Sequence, residues 1–293
     1  MKMLMSLIIS GLALGSVYSL IAMGYSLIYK ASGLMTFVQG DILTIGAFLG
    51  LTFYRFLKLP YLVAVILTMV IAFVLGFILE KGVIRKLLNK NVMAIYIVLA
   101  TIAVSYIVQN GAQAIWSSKV EYFPTVFSTD SVSVLGVNVQ PESLLCVAAS
   151  LVCMVGLHIF MTKTKIGTSM RAAAMDATAA ESCGINVSLN TGITWGISAG
   201  IAAIAGIFIG PMYGVYVTLG SKIGGKGFAG AVMGGYGNMY GAMVGGLILG
   251  LTETLVAGYI SSDFKNMFAY IILIVFLFVK PTGIFNEQAI QDV

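Results

Sequence analysis

The chain has 293 residues, of which 59% are hydrophobic and only 9% are charged, and its mean hydropathy is +1.00. Soluble domains carry about 25% charged residues, so this composition excludes a soluble globule and indicates a polytopic integral membrane protein. The net charge of +5 comes from Lys and Arg residues placed between apolar segments. That pattern is typical of charges that orient membrane spans, and it argues against nucleic-acid binding.

Windows of about 20 apolar residues, the length that crosses about 30 Å of hydrocarbon, predict eight apolar segments. In chain order they cover residues 4–29, 34–54, 61–79, 92–115, 143–161, 189–212, 228–257 and 267–279. The predicted fold class is an all-α polytopic membrane protein, with eight to nine crossings in a single transmembrane domain over residues 1–293.

The seventh segment is long for one span, and its middle, residues 234–241, reads GGYGNMYG. Because such a run breaks a helix, it predicts a broken or re-entrant segment whose second helix starts near Ala242. Backbone groups freed by a break need protein or water around them. Gly234 and Gly235 are therefore candidates for a translocation path.

The densest basic loop, residues 81–90, is predicted to be cytoplasmic. This places the N-terminus and the loop 116–142 outside and the loop 162–188 inside. The side of the C-terminus depends on whether the seventh segment crosses once or twice, and the charge bias is the same in both cases. Within the outer loop, the alternating sequence VSVLGVNV at residues 132–139 predicts a small external β-hairpin.

The inner loop is too polar to span a membrane. Residues 168–182 are rich in alanine and contain no glycine or proline, so they predict one helix that stops at Gly184. Its small apolar side chains favour close docking against another surface. A linker helix resting on the protein's own cytoplasmic face is the alternative interpretation.

Four ordered motifs in this chain resemble permease subunits of branched-chain amino-acid ABC importers. The inner loop is similar to the family's coupling helix at Arg171, Ala172, Ala174, Asp176, Ala180 and residues 184–186. Residues 11–25 resemble the family's first span, residues 35–41 its polar element, and residues 228–235 with 241–246 its glycine-rich penultimate region. Thr36 stands where the family usually has asparagine, and Asp41 where glutamate is commoner. Both departures fall in the polar element expected to approach the translocation path, so they bear on the substrate rather than on the permease assignment.

The resemblance implies a multi-pass permease of the bacterial-type inner membrane that has no catalytic residue, metal or cofactor of its own. It implies four kinds of partner: two cytoplasmic ABC ATPase subunits, a second permease subunit that is a copy or a paralogue, an extracytoplasmic substrate-binding protein, and the lipid bilayer. It further implies that branched-chain or hydrophobic amino acids are carried, and that coupling to the ATPase depends on Gly167, Arg171, Ala172, Asp176 and Gly184.

Polar residues inside apolar segments are candidates for the translocation path. The candidates besides Gly234 and Gly235 are Thr36, Gln39, Gly40, Asp41, Gln109 and Glu253. Asp41 has an equally good alternative as the N-cap of a helix that begins at Ile42. The lone His158 is interpreted as a packing residue.

Glycines recur at four-residue spacing in two of the segments, and each set lines one helix face. The sets are Gly192, Gly196 and Gly200; Gly206 and Gly210; Gly241 and Gly245; and Gly246 and Gly250. They predict close helix crossings inside the subunit or, alternatively, a dimer seam.

Other functions stay open at this point. Related importers carry urea, short amides, nucleosides or sugars. An ion-coupled secondary transporter would need intramembrane ion-coupling residues and would work alone, and the near absence of paired buried charges weighs against it. A membrane enzyme would need a nucleophile with its base, or a cluster of metal ligands, and neither pattern is visible.

Overall fold

The computed structural model describes residues 2–90, 92–124, 132–134 and 137–285. The helices of this part of the chain are α1 (Lys2–Ser32), α2 (Gln39–Leu51), α3 (Tyr61–Leu79), α4 (Arg85–Leu88), α5 (Ala94–Trp116), α6 (Pro141–Lys163), α7 (Lys165–Met175), α8 (Ala177–Ser182), α9 (Val187–Tyr213), α10 (Leu219–Gly234), α11 (Met239–Tyr259) and α12 (Lys265–Val279). A π-helical stretch, Thr52–Phe56, extends α2, and another, Glu80–Ile84, joins α3 to α4.

Two short strands, β1 (Val132–Val134) and β2 (Val137–Val139), lie between α5 and α6. They pair antiparallel, with Val132 opposite Val139 and Val134 opposite Val137. Residues 135 and 136, which join the strands, lie outside the described residues.

Six helices of the described ranges are long and apolar enough to cross a membrane. They are Met3–Ser32, Tyr61–Leu88, Ala94–Trp116, Pro141–Lys163, Val187–Tyr213 and Met239–Tyr259. Lys265–Val279 is apolar but shorter, and α2 and α10 have only 13 and 16 residues. Of the eight predicted segments, the second and the eighth therefore form only short helices, and the seventh is divided between α10 and α11.

The centre of the bundle is α9, which is buried along most of its length and packs against α1, α2 and α3. Glycines permit these close crossings. A Cβ at Gly196 would lie 2.7 Å from the Phe73 ring, and one at Gly206 would meet the backbone of Leu43. Gly250 likewise packs on the backbone of α1. The prediction that the spaced glycines pack helices inside the subunit is confirmed.

At one end of the bundle, the densest basic loop contacts the start of α9. The Nζ of Lys81 donates to the carbonyl oxygen of Ser188 over 2.8 Å, and Arg85 donates to the same oxygen over 3.3 Å. We call this end the basic end. At the opposite end, Arg55 forms a 2.6 Å ion pair with Glu121, and the backbone of Glu121 bridges to Val215.

The glycine-rich middle of the seventh segment breaks the helix as predicted. α10 ends at Gly234, α11 begins at Met239, and Gly235 and Gly237 have φ values of +106° and +102°. The second helix begins three residues earlier than Ala242 because the side chain of Asn238 accepts hydrogen bonds from the first N–H groups of α11.

The prediction of one helix over residues 168–182 was wrong. The helix breaks at Asp176, whose backbone is extended (φ −156°, ψ 109°) and whose Oδ1 accepts a 2.9 Å hydrogen bond from the N–H of Ala179. A side chain that satisfies the first N–H groups of a second helix competes with continuation of the first. The predicted stop at Gly184 is confirmed by its φ of +82°.

Candidate functional site

Two short helices, α2 and α10, begin side by side inside the bundle. A Cβ at Gly220 would overlap the carbonyl of Gly40, and a Cβ at Gly224 would lie 2.7 Å from the Gly40 Cα. The N–H of Gly220 donates to Thr44 Oγ1 over 2.8 Å. Only glycines permit backbones to approach so closely. The glycines of α2 and α10 therefore determine where the two helices cross.

A cavity of about 390 Å³ opens beside this crossing, between α2, α5 and α10. Its wall is mixed. The apolar and aromatic part comes from Tyr25, Phe37, Ile102, Tyr106 and Phe228, and the polar part from Asp41, Ser105, Gln109 and Ser221. An apolar pocket with a few convergent polar groups is the usual form of a small-molecule site.

Asp41 is the only carboxylate among the described residues that line this cavity, and it is 2% exposed. Its carboxylate accepts hydrogen bonds from the Ser105 hydroxyl and, over 2.8 Å, from the Gln109 amide. The same amide also donates to the Ser221 hydroxyl over 2.9 Å. Asp41 therefore links α2 to α5, and through Gln109 to α10.

Asp41 is not an N-cap, and that interpretation was wrong. α2 begins at Gln39 and its N-cap residue is Val38, which makes no side-chain capping bond. Asp41 lies in the first turn, where a negative charge is favourable to the helix dipole. Its oxygens, however, bond to α5 rather than to the backbone of its own helix.

The other predicted path residues near α2 separate into two groups. Gly40 lines the cavity together with Asp41. Gln39 points away from it, is 1% exposed, and donates to the carbonyl oxygen of Ser198 over 2.8 Å. Thr36 is 1% exposed, does not line the cavity, and accepts a hydrogen bond from the N–H of Val38. Neither side chain lines the cavity in this structure.

Gly234 ends α10 at the basic end, and neither Gly234 nor Gly235 lines the cavity. The N–H of Phe285 donates to the carbonyl oxygen of Gly234 over 3.3 Å. The turn between α10 and α11 lines a crevice together with Lys30 and Arg171. Because Gly234 and Gly235 have no side chain, they permit this turn and the close approach of the chain that follows α12. The structure does not bring them to the polar cavity.

Glu253 occupies a different place on the other side of α10. It is 2% exposed, accepts a 2.7 Å hydrogen bond from the Tyr18 hydroxyl and forms a 2.5 Å ion pair with Lys226. This buried pair runs against the expectation that paired buried charges are nearly absent. Glu80, which is fully buried, forms a second ion pair, with Arg85 at 3.0 Å.

The predicted coupling residues lie on α7 and at the two ends of α8, at the basic end. Gly167 packs against the end of α6, where a Cβ would lie 2.6 Å from the Met161 Cα. Arg171 and Asp176 are exposed, and Met175 between the two helices is 88% exposed. Ala172 is half-buried, and Gly184 ends α8.

Sequence reasoning missed Ser105 and Ser221. Thr101, Ser105 and Gln109 recur at four-residue spacing on α5, and this polar stripe on an apolar helix could have indicated Ser105. Thr101 accepts a 3.3 Å hydrogen bond from the N–H of Phe37, so the whole stripe faces the start of α2. Ser221 had no such pattern, because its position depends on the packing of α10 against Gly40.

The fold and this site together define a multi-pass membrane protein in which two helices begin inside the bundle beside a polar cavity. Discontinuous helices of this kind, with irregular backbone turned toward a cavity, are typical of transport proteins.

A family model described as "Branched-chain amino acid transport system / permease component" matches residues 7–277. LivH, the high-affinity branched-chain amino acid transport system permease protein of Salmonella typhimurium, is 30% identical over 298 residues, which cover 97% of this chain and 96% of LivH. LivH of Escherichia coli has the same identity and coverage. BraD of Pseudomonas aeruginosa is 31% identical over 191 residues, 61% of this chain and 62% of BraD. No solved structure matches the chain.

The chain therefore belongs to the permease family of branched-chain amino-acid ABC importers. It is a multi-pass inner-membrane protein, and its relatives are transport permeases rather than enzymes.

Proposed function

We propose that this permease carries branched-chain or other hydrophobic amino acids through the cavity at Asp41, driven by ATP hydrolysis on partner subunits. The observation that supports this most directly is the single buried carboxylate in an otherwise largely apolar cavity of about 390 Å³. The relatives named for branched-chain amino acid transport favour the same substrate class.

The cavity offers a complementary group for each part of such a substrate. The Asp41 carboxylate would accept hydrogen bonds from the substrate's ammonium group. The N-terminus of α10, which begins at Leu219 beside Ser221, carries partial positive charge that suits the substrate carboxylate. Ile102 and Phe228 would contact its apolar side chain.

The proposed topology has nine passages in a single permease domain, with the basic end in the cytoplasm. α1, α2, α3, α5, α6, α9, α10, α11 and α12 would each make one passage, and α2 and α10 would do so as short helices. Two contacts support the double passage of the seventh segment. The α10–α11 turn lines a crevice with Lys30 and Arg171, and Ile284 donates to the Met233 carbonyl oxygen over 3.0 Å. The N-terminus and the β1–β2 pair would then be outside, and residues 280–285 inside.

The α7–α8 pair is the proposed contact with the ATPase subunits. α7 packs against α6, α9 and α1, so a push on it would shift those spans as a rigid body. Arg171 and Met175 are among its exposed residues and are available for a partner. The complete importer would contain two ATPase subunits, a second permease subunit and an extracytoplasmic binding protein.

A reconstituted importer tests this proposal. The permease would be co-purified with its ATPase subunits, placed in proteoliposomes and supplied with its binding protein and ATP. Uptake of labelled leucine that requires ATP hydrolysis is expected. Uptake of urea or a nucleoside in place of leucine would contradict the substrate class, and uptake driven by an ion gradient without ATPase subunits would contradict the importer mechanism.

A further inference from the structure

A second cavity lies on the opposite side of α10 from Asp41. It has a volume of about 390 Å³ and is bounded by the α9–α10 connection, α10, α11 and the start of α12. We propose that it binds the phosphate headgroup of an anionic phospholipid. Its lining side chains include Tyr213, Tyr216, Lys222, Lys226, Lys265 and Tyr270.

The charge of the cavity favours an anion. Three lysines line it, and the only carboxylate that lines it among the described residues is Glu253. Glu253 is already engaged by Lys226 at 2.5 Å and by the Tyr18 hydroxyl. The charges of Lys222 and Lys265 are left without a carboxylate partner in the cavity, so its lining carries a net charge of about +2.

Backbone groups add to this potential. α12 begins at Lys265, and Lys265 and Asn266 of its first turn both line the cavity. The first N–H groups of a helix have no partner within the helix and point along its axis. A phosphate group at this place would therefore meet two lysine ammonium groups and a helix N-terminus.

The surroundings favour a lipid over a soluble anion. Tyr270 lines the cavity and is 43% exposed, and it heads an outward apolar face of α12 that continues through Ile271, Ile274, Val275 and Phe278. Acyl chains could lie along this face while the headgroup occupies the cavity. Tyrosine and lysine at a helix end are also the residues that accompany lipid headgroups at a membrane interface.

Native mass spectrometry of the purified full-length permease tests this proposal. Delipidated protein would be titrated with dioleoyl phosphatidylglycerol or with dioleoyl phosphatidylcholine, which differ in headgroup charge but not in acyl chains. The wild type is expected to bind phosphatidylglycerol at least about fivefold more tightly, given the attraction of each lysine for anionic lipid. The double variant Lys222→Gln/Lys265→Gln should lose that preference.

The matched control also removes two positive charges from this end of the bundle, but outside the cavity. Lys58→Gln/Lys119→Gln changes two lysines that do not line the cavity, and it should keep the preference. An equal affinity of the wild type for both lipids would overturn the proposal, as would equal losses in the two double variants.

Displacement of phosphatidylglycerol by millimolar glycerol 3-phosphate would instead assign the cavity to a soluble anion. If the double variant does not fold, the single variants Lys222→Gln and Lys265→Gln should each lose part of the preference, and unchanged preference in both would overturn the proposal.

Discussion

The Nζ of Lys226 lies 2.5 Å from Oε1 of Glu253, inside the bundle and between α10 and α11. The two residues are 7% and 2% exposed, and the other carboxylate oxygen accepts a 2.7 Å hydrogen bond from Tyr18 of α1. Three helices are therefore joined by one buried polar cluster. Isolated charges in such a place are strongly destabilising, whereas paired ones are tolerated.

Removing one partner of this pair should destabilise the protein more than removing both charges. Lys226→Met leaves the Glu253 carboxylate without its cation, at an expected loss of about 3 kcal/mol in the free energy of unfolding. In Lys226→Met/Glu253→Gln the amide can still accept from Tyr18, so most of the loss should be recovered. Thermal unfolding of the detergent-purified proteins measures both. A double variant no more stable than Lys226→Met would show that charge pairing is not the stabilising interaction.

The crossing of α2 and α10 should not tolerate a methyl group. Gly220→Ala would force the new Cβ onto the Gly40 carbonyl, and overpacking of this kind destabilises by about 1–3 kcal/mol. Gly156→Ala in α6 is the matched control, because a Cβ there meets no atom within 4 Å. The control should be neutral or more stable by about 0.5 kcal/mol, since alanine favours helix over glycine. Equal midpoints of thermal unfolding for the two variants would contradict the described crossing.

Adjacent residues of α5 should differ in their effect on transport. Gln109 donates to Asp41 and to Ser221 at the cavity, whereas Asn110 is exposed and donates only to the backbone of Tyr106. Gln109→Ala is expected to lower ATP-driven leucine uptake at least about tenfold, because it removes one of the side-chain donors to Asp41. Asn110→Ala should leave uptake within about twofold of the wild type. Similar uptake by the two variants would place the path elsewhere.

Asp176 should act through its cap rather than through its charge. Asp176→Asn removes the charge but keeps an oxygen that caps α8, whereas Asp176→Ala removes both. If the α7–α8 break positions the ATPase contact, Asp176→Asn should keep ATP hydrolysis coupled to uptake and Asp176→Ala should lower the ratio of uptake to hydrolysis. The measurement is that ratio in proteoliposomes. Glu181→Gln on the same helix controls for charge alone, and uncoupling by Asp176→Asn would show that the charge itself contacts the partner.

Arg171 is the clearest test of the contact between α7 and the ATPase. It is exposed on a helix that packs against α6 and α9, so a charge reversal there should change a partner surface more than the fold. Arg171→Glu is expected to reduce co-purification of the ATPase subunits or the coupling ratio while the unfolding midpoint changes by no more than the control Lys165→Glu. Full co-purification with normal coupling would remove Arg171 from the contact.

The sequence was sufficient to predict the features that depend on local chemistry. The apolar windows predicted most of the spans, GGYGNMYG predicted the break after α10, and Gly184 predicted the end of α8. The glycines at four-residue spacing predicted close helix crossings, because such a crossing needs only that side chains be absent from one helix face.

Features that depend on two distant segments were not predictable in this way. The Lys226–Glu253 pair joins positions 27 residues apart on separate helices, and no spacing in the sequence connects them. The break at Asp176 was missed because helix propensity favours continuation through an alanine-rich run, and a capping side chain overrode it. The sequence alone is compatible with Asp41 as a cap or as a path residue, because its hydrogen bonds depend on the packing of α5 against α2.

The measurement that tests the central claim most directly is ATP-dependent leucine uptake by the reconstituted importer carrying Asp41→Ala. Uptake should fall at least about tenfold, while the ATPase subunits still assemble with the permease, because the variant removes the only carboxylate of the described cavity lining. Uptake equal to that of the wild type would contradict the assignment of this cavity to the translocation path.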